Sequence, residues 1–222
     1  MKRFTALLSL ATICISSARA HEVWIEDTPT GALVIRFAEY GDTYEKSPGA
    51  LDMLSLPTAW TPGAEGAVNS FAVEKKNDHF LLASASPKNA AQIETSFPVM
   101  GKPGNPEKPA RKPFFYARWH VPGSSAAEPA LIFDLVPSAT TGGVTVFFRG
   151  KPLAGAKLKF HPPEGDEQEL TSDDAGRVRF VATKPGFYLL AAAHQREVTP
   201  GFSGGKPYEV VSHNASLAWR QP

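Results

Sequence analysis

The sequence predicts an all-β fold, and three observations carry that expectation. Short runs rich in Val, Phe, Leu and Tyr recur along the chain with the period-two alternation of strands that bury one face. Turn-forming Gly, Pro, Asn and Asp separate these runs, and 18 Gly and 20 Pro leave little room for long elements. No stretch keeps a 3.6-residue apolar period long enough for an amphipathic helix.

Residues 1–20 read as an export signal. Lys2 and Arg3 precede an apolar run from Phe4 to Ile15, and Ala18-Arg19-Ala20 offers the small residues of a cleavage site. Cleavage after Ala20 makes His21 the first residue of a mature chain that is periplasmic or secreted. The apolar run is too short to span a bilayer, and no later segment approaches eighteen consecutive apolar residues, so no membrane insertion of the mature chain is expected.

In a first unit, residues 21–138, strands are expected at Glu22 to Glu26, Leu33 to Phe37, Phe71 to Glu74, Phe80 to Ala83 and Ala91 to Thr95. Two more follow at Phe114 to His120 and Ala130 to Leu135. One short helical piece is expected near Ala50 to Leu54, opening at Ser47 or Pro48. Residues 97–113 hold Pro98, Gly101, Pro103, Gly104, Pro106 and Pro109, and each Pro removes a ladder donor, so this is read as a long surface loop. Val136-Pro137-Ser138 to Gly142-Gly143 reads as a linker, and a second unit is expected over residues 142–222. Its strands are Val144 to Phe148, Ala156 to Phe160, Glu169 to Thr171, Val178 to Val181, Gly186 to Ala192 and Glu209 to Trp219. Turns at Arg149-Gly150-Lys151-Pro152, Asp173-Asp174-Ala175-Gly176 and Lys184-Pro185-Gly186 separate them. The whole reads as two β-sandwich-like units, the C-terminal one of immunoglobulin or transthyretin type.

Charge and cysteine content exclude several classes. Loss of Lys2, Arg3 and Arg19 with the signal changes the formal charge from +1 to about −2, which gives no footprint for nucleic acid. The one cysteine, Cys14, leaves with the signal, so the mature chain has no disulfide, no thiolate nucleophile and no soft sulfur ligand from cysteine. A metal site would use His, carboxylate and backbone groups. There is no Gly-x-Ser-x-Gly elbow, no His-Glu-x-x-His and no phosphate-cradling Gly-rich loop, so the chain is not expected to be an enzyme of those kinds.

Ordered pieces along the mature chain resemble a NikM-like periplasmic family of unknown function, whose members are often labelled periplasmic components of cobalt or nickel uptake. They are His21-Glu22-Val23-Trp24-Ile25-Glu26, Arg36-Phe37 with Tyr40-Gly41, Glu45-Lys46-Ser47-Pro48 and Leu51-Asp52. In the second half they are Gly150 to Ala156, Asp173 to Gly176 leading to Phe180, Pro185-Gly186-Phe187-Tyr188, and His213 to Leu217. The resemblance implies extracytoplasmic binding of a transition metal, with a membrane metal transporter as downstream partner.

A mature N-terminal histidine carries an imidazole and a free amine, and the amine's ordinary pKa near 7.7–8.0 lets a metal displace its proton at neutral pH. Amine and ring close a chelate, and one further imidazole completes a three-nitrogen set that suits Cu(II) or Ni(II). Trp24 and Ile25 lie in an apolar strand that would pin this terminus. The expected metal ligands for Ni, Co or Cu are His21, His194 and His213. His194 is placed at the rim after its strand. His213 lies on the apolar face of the last strand, where it reaches the same rim if the two strands are neighbours. By alternation Glu22 and Glu26 share a face with Trp24, and Glu22 is either a partner of the site or solvated. His120 is read as an aromatic-edge packing residue, His79 as part of a polar turn and His161 as surface. Glu39, Asp42, Tyr44 and Glu45 form a cluster that lines a pocket or stays solvated. Two other functions stay open: a copper-dependent oxidative enzyme built on the N-terminal His, and a metal-free adhesion or interaction module.

Overall fold

A computed structural model describes residues 21–63, 67–124, 127–138 and 142–222. The expected export signal, 1–20, and residues 139–141 of the expected linker lie outside the described residues. The chain is all-β. Its first half holds β1 (Glu22–Asp27), β2 (Leu33–Ala38), β3 (Thr58–Pro62), β4 (Val68–Phe71), β5 (Val73–Lys75), β6 (Phe80–Leu82), β7 (Ala91–Ser96), β8 (Arg111–Trp119) and β9 (Phe133–Pro137). The second half holds β10 (Gly143–Phe148), β11 (Lys151–Pro152), β12 (Lys157–His161), β13 (Gln168–Thr171), β14 (Arg177–Arg179), β15 (Gly186–Glu197), β16 (Gly201–Ser203), β17 (Lys206–Tyr208) and β18 (Val210–Gln221). The expected helical piece is a single 3-10 turn, Ala50–Met53, opened by the Asp52 carboxylate accepting from Gly49 N (3.1 Å) and Ser47 Oγ (2.8 Å).

An eight-stranded sheet in the order β13-β12-β15-β18-β8-β7-β3-β4 runs through both halves of the chain. Its centre is a parallel pair, β18 with β8, from Val210 beside Arg111 to Ala218 beside Trp119. The sheet β1-β2-β6-β5 packs on one face, and β9, β10, β11 and β14 cover the other. Alternation along the central strands explains the two cores. Phe115, Ala117, Trp119, Leu189 and Ala218 meet Ile25, Leu33 and Ile35 on one side, while Tyr116, Tyr188, Leu190, Leu217 and Trp219 meet Phe133, Leu135 and Val146 on the other. Strands covered on both faces read as continuous apolar runs, and β18 is buried almost throughout from Val210 to Trp219. Each fully buried Leu or Ile here stabilises the fold by about 1.5–3 kcal/mol.

The expected division into units 21–138 and 142–222 does not coincide with a break in hydrogen bonding. Strand β9 pairs β10 directly across that boundary, from Val144 opposite Pro137 to Phe148 opposite Phe133, and β8 pairs β18. Parallel pairing brings together segments about 100 residues apart, which local pattern does not report.

Strands β3, β4, β16 and β17 fall where the sequence suggests connections. The run Thr58–Pro62 is bracketed by Pro57 and Gly63, and β4 is the exposed edge of the large sheet, where Pro and weak patterning are tolerated. Strand β8 also begins earlier than expected, at Arg111, and includes Pro113. Phe97 N donates to Pro113 O, and the Phe97 carbonyl, which lacks a Pro113 N–H partner, accepts from Lys112 Nζ at 2.8 Å. The Asp-rich turn forms as its residues suggest. Asp173 Oδ1 accepts from Ala175 N and Arg177 N, and Gly176 sits at φ +73°, where a Cβ would stand 2.9 Å from Val146 O.

Candidate functional site

A cleft of about 550 Å³ opens where β1, β15, β18 and the start of β8 meet. Phe37, Phe97 and Phe115 make its apolar floor. His21, Glu45, Met100, Arg111, His194 and Arg196 supply the polar and sulfur groups. His21 and His194 therefore face one cavity, although they are far apart in the chain.

His21 directly precedes β1. Its ring packs on Phe37 with centroids 5.0 Å apart, and its Nε2 donates to Glu45 Oε1 at 2.6 Å. In the neutral ring, donation from Nε2 leaves Nδ1, the ring nitrogen nearer the backbone, with the lone pair. Of the expected acidic and aromatic cluster, Glu45 thus lines the cleft. Tyr44 turns away to donate to Glu26, and Arg36 stacks over the Tyr44 ring.

His194 is not at a strand end. Strand β15 continues to Glu197 through a bulge, in which Ala193 and His194 stand opposite Asn214 alone. The bulge puts His194 at φ +64°, a left-handed conformation uncommon for non-glycine residues. Asn214 stabilises it: Oδ1 accepts from His194 N at 3.2 Å and Nδ2 donates to Phe114 O at 3.0 Å. The residue is exposed at the rim, yet its surroundings desolvate the ring enough to push its pKa below the ordinary histidine value, with Arg111 and Arg196 adding in the same direction. A neutral imidazole is the ligand form.

His213 does not join this site. Strands β15 and β18 are neighbours, as the sequence argument requires, but Ser212 and Asn214 face the cleft and His213 therefore points to the opposite layer. There it is buried, its Nδ1 is 3.1 Å from Tyr116 Oη, and its ring packs against Phe114, Tyr116 and Phe148. Glu197 Oε2 stands 3.4 Å from Nε2. Burial lowers the His213 pKa. It is a core histidine.

The other histidines divide. His79 bonds Asp78 with Nδ1 at 2.6 Å in its polar turn. His120 lines a smaller cavity of about 180 Å³ beside Leu217 and Trp219, and burial, then Arg118, pushes its pKa down to about 4. His161 is not at the surface. Along the lysine face of β12, Lys157 is exposed and Lys159 half-buried, but His161 at the strand end is buried and its ring lies 4.6 Å from that of Tyr40. Its Nε2 is 3.9 Å from Glu22 Oε2, and neither atom has a hydrogen-bond partner. Glu22 is half-buried rather than solvated, and desolvation raises its pKa to about 7, with Lys159 opposing and Glu167 and Glu39 assisting.

Met100, Arg111, Arg196 and Asn214 are the site residues that sequence reasoning missed. A signal existed for one: Arg196 follows His194 by two residues, which places both on one strand face. Met100 also supplies a thioether where cysteine content suggested no soft sulfur, with its Sδ 3.8 Å from Arg111 Nη2.

Among the described residues no group of three or more His, Cys, Asp or Glu is placed to hold a metal ion. The donor side chains that line the cleft are the imidazoles of His21 and His194, the Glu45 carboxylate and the Met100 thioether, and by themselves they do not form a metal-binding set. Among the described residues no helix is long and apolar enough to cross a membrane. No family model matches the chain, and no curated protein matches it.

Proposed function

We propose that the protein, exported and cleaved after Ala20, binds a divalent transition metal, Ni, Co or Cu, in the periplasm and serves metal uptake or handling. The observation that carries this reading is that His21 and His194 line one cleft. Cleavage adds the donor that the side chains lack. The amine of His21 and its Nδ1 close a six-membered chelate, and the bond from Nε2 to Glu45 supports this by leaving Nδ1 unprotonated. His194, held neutral and anchored through Asn214, supplies the third nitrogen. The metal contributes an exchangeable coordination centre, while the chain contributes orientation and a partly apolar wall. A concave cleft about 550 Å³ in volume supports a carrier more than an enzyme acting on a flat polymer surface. The resemblance of the His21 to Glu26 segment to the NikM-like family points the same way, with a membrane transporter as the recipient.

Calorimetric titration of the cleaved protein with Cu(II), Ni(II) and Co(II) tests this, against a form extended by one N-terminal residue and against His194→Ala. Each change is expected to weaken binding by tenfold or more, about 1.4 kcal/mol. Equal affinity in the extended form overturns the amine chelate.

A further inference from the structure

Two cavities adjoin at the edge of the second core, and neither shares a lining residue with the cleft of His21 and His194. The smaller, about 180 Å³, is walled by Pro137, Phe180, Leu217 and Trp219, with His120 among them. Burial, then Arg118, holds the His120 imidazole neutral at pH 7, so among the described residues this lining carries no charge. The larger, about 500 Å³, is lined by Arg177 and Arg179 with Thr145. Ser138, Gly142 and Gly143 belong to both linings and form a common lip.

Alternation places both guanidinium groups on one face of β14, beside Thr145 and Gly143 of β10, whose small side chains leave room next to them. Unpaired arginines alone distinguish nothing: among the described residues Arg111 and Arg196 also lack a carboxylate partner, and charge on an edge strand such as β14 guards it against stray pairing. The rest of the lining decides. The cleft of His21 contains the Glu45 carboxylate, whereas among the described residues no Asp or Glu lines either of these two cavities. Asp173, in the turn before β14, is taken by the backbone amides of Ala175 and Arg177.

The paired N–H donors of a guanidinium match a carboxylate. An uncharged, largely apolar hole beside them accepts only the uncharged part of a ligand, since a carboxylate placed there would lose its solvation without a counter-charge. Size sets that part: an apolar cavity of about 150 Å³ holds a benzene ring, and the smaller cavity here is about 180 Å³. We infer that the adjoining cavities bind a small amphiphilic carboxylate, its ring or short chain against Phe180, Leu217 and Trp219 and its carboxylate on Arg177 and Arg179.

The test is calorimetry of the cleaved protein with phenylacetate, with acetate, which lacks the ring, and with benzyl alcohol, which lacks the charge. Wild type, Arg177→Gln/Arg179→Gln, Ala182→Phe and Arg111→Gln/Arg196→Gln are compared, with near-ultraviolet circular dichroism to verify folding. Wild type is expected to bind phenylacetate about tenfold tighter than either half-ligand, the scale of one charge-assisted pair. Arg177→Gln/Arg179→Gln is expected to lose that margin over benzyl alcohol, and Ala182→Phe, which fills the smaller cavity, to lose it over acetate. Arg111→Gln/Arg196→Gln is expected to bind phenylacetate as wild type does. Acetate or benzyl alcohol binding as tightly as phenylacetate overturns the inference, as does failure of all three probes to bind. Unchanged phenylacetate affinity in Arg177→Gln/Arg179→Gln, or its loss in Arg111→Gln/Arg196→Gln, overturns it too, and none of these outcomes alters the metal titration.

Discussion

The hydroxyl of Ser216 donates to the carbonyl of Val23 across 2.7 Å, and this buried bond ties β1 to the central strand two residues beyond His21. Among the described residues strand β1 pairs only with β2, so its other edge needs such a partner. Ser216→Ala leaves a buried carbonyl unsatisfied and is expected to destabilise the fold by about 1–3 kcal/mol. Urea unfolding should show a lower midpoint with an unchanged slope. Metal affinity should fall as the terminus loosens.

Arg118 and Asp134 form a two-pronged ion pair inside the second core. Nε donates to Oδ1 at 3.0 Å and Nη2 to Oδ2 at 2.6 Å, with both residues almost wholly buried. Asp134 Oδ2 also accepts from Ala130 N and Leu131 N. Asp134→Ala strands a buried guanidinium and is expected to cost about 3–5 kcal/mol, whereas Arg118→Met/Asp134→Leu should recover a large part of it. Comparison of the two denaturation midpoints checks this.

Glu45 and His213 make opposite predictions for metal binding. Glu45→Ala removes the acceptor that orients His21 and should weaken metal affinity by about 10- to 100-fold with little change in stability. His213→Phe touches only the core on the far side of β18, so affinity should hold while stability changes. A loss of metal binding in His213→Phe would contradict the placement of that ring.

Glu22 gives a pH signature. Its carboxyl titrates near 7 in the fold against an ordinary 4.5, so the folded chain keeps a proton that the unfolded chain has released. The stability linked to that proton is fully present below 4.5 and is lost as pH rises from 4.5 to about 7, by about 3 kcal/mol in all. Glu22→Gln should match wild type near pH 4 and exceed it at pH 8. His120 acts in reverse. Its pKa near 4, below the ordinary 6.5, means stability is lost as pH falls from 6.5 toward 4, and His120→Asn should blunt that acid limb. Thermal melts across pH 4–8 separate the two.

Much of the fold was legible because alternation is local. The runs around Ile25, Ile35, Ile93, Phe115, Phe160 and Leu190 lie in strands, and the Asp173 to Gly176 turn forms by its own side-chain bonds. Thr58–Pro62 and Gly201–Ser203 were not legible, since short strands, one beside the edge strand β4 and one in a two-stranded ribbon, draw their stability from a neighbour rather than from their own pattern. The β15 bulge escaped for the same reason: it depends on Asn214, a residue on another strand.

By itself the sequence determined the all-β class and most strand positions and supplied the histidines from which a site could be built, because these follow from side-chain chemistry and two-residue periodicity. Only the tertiary structure decided which of those residues meet. The parallel pairing of β18 with β8 and one bulge bring His194 to His21 and Arg111, while the same strand's pleat turns His213 into the opposite core. A one-residue difference in position selects the face, and what covers each face is set by strands that are distant in the chain.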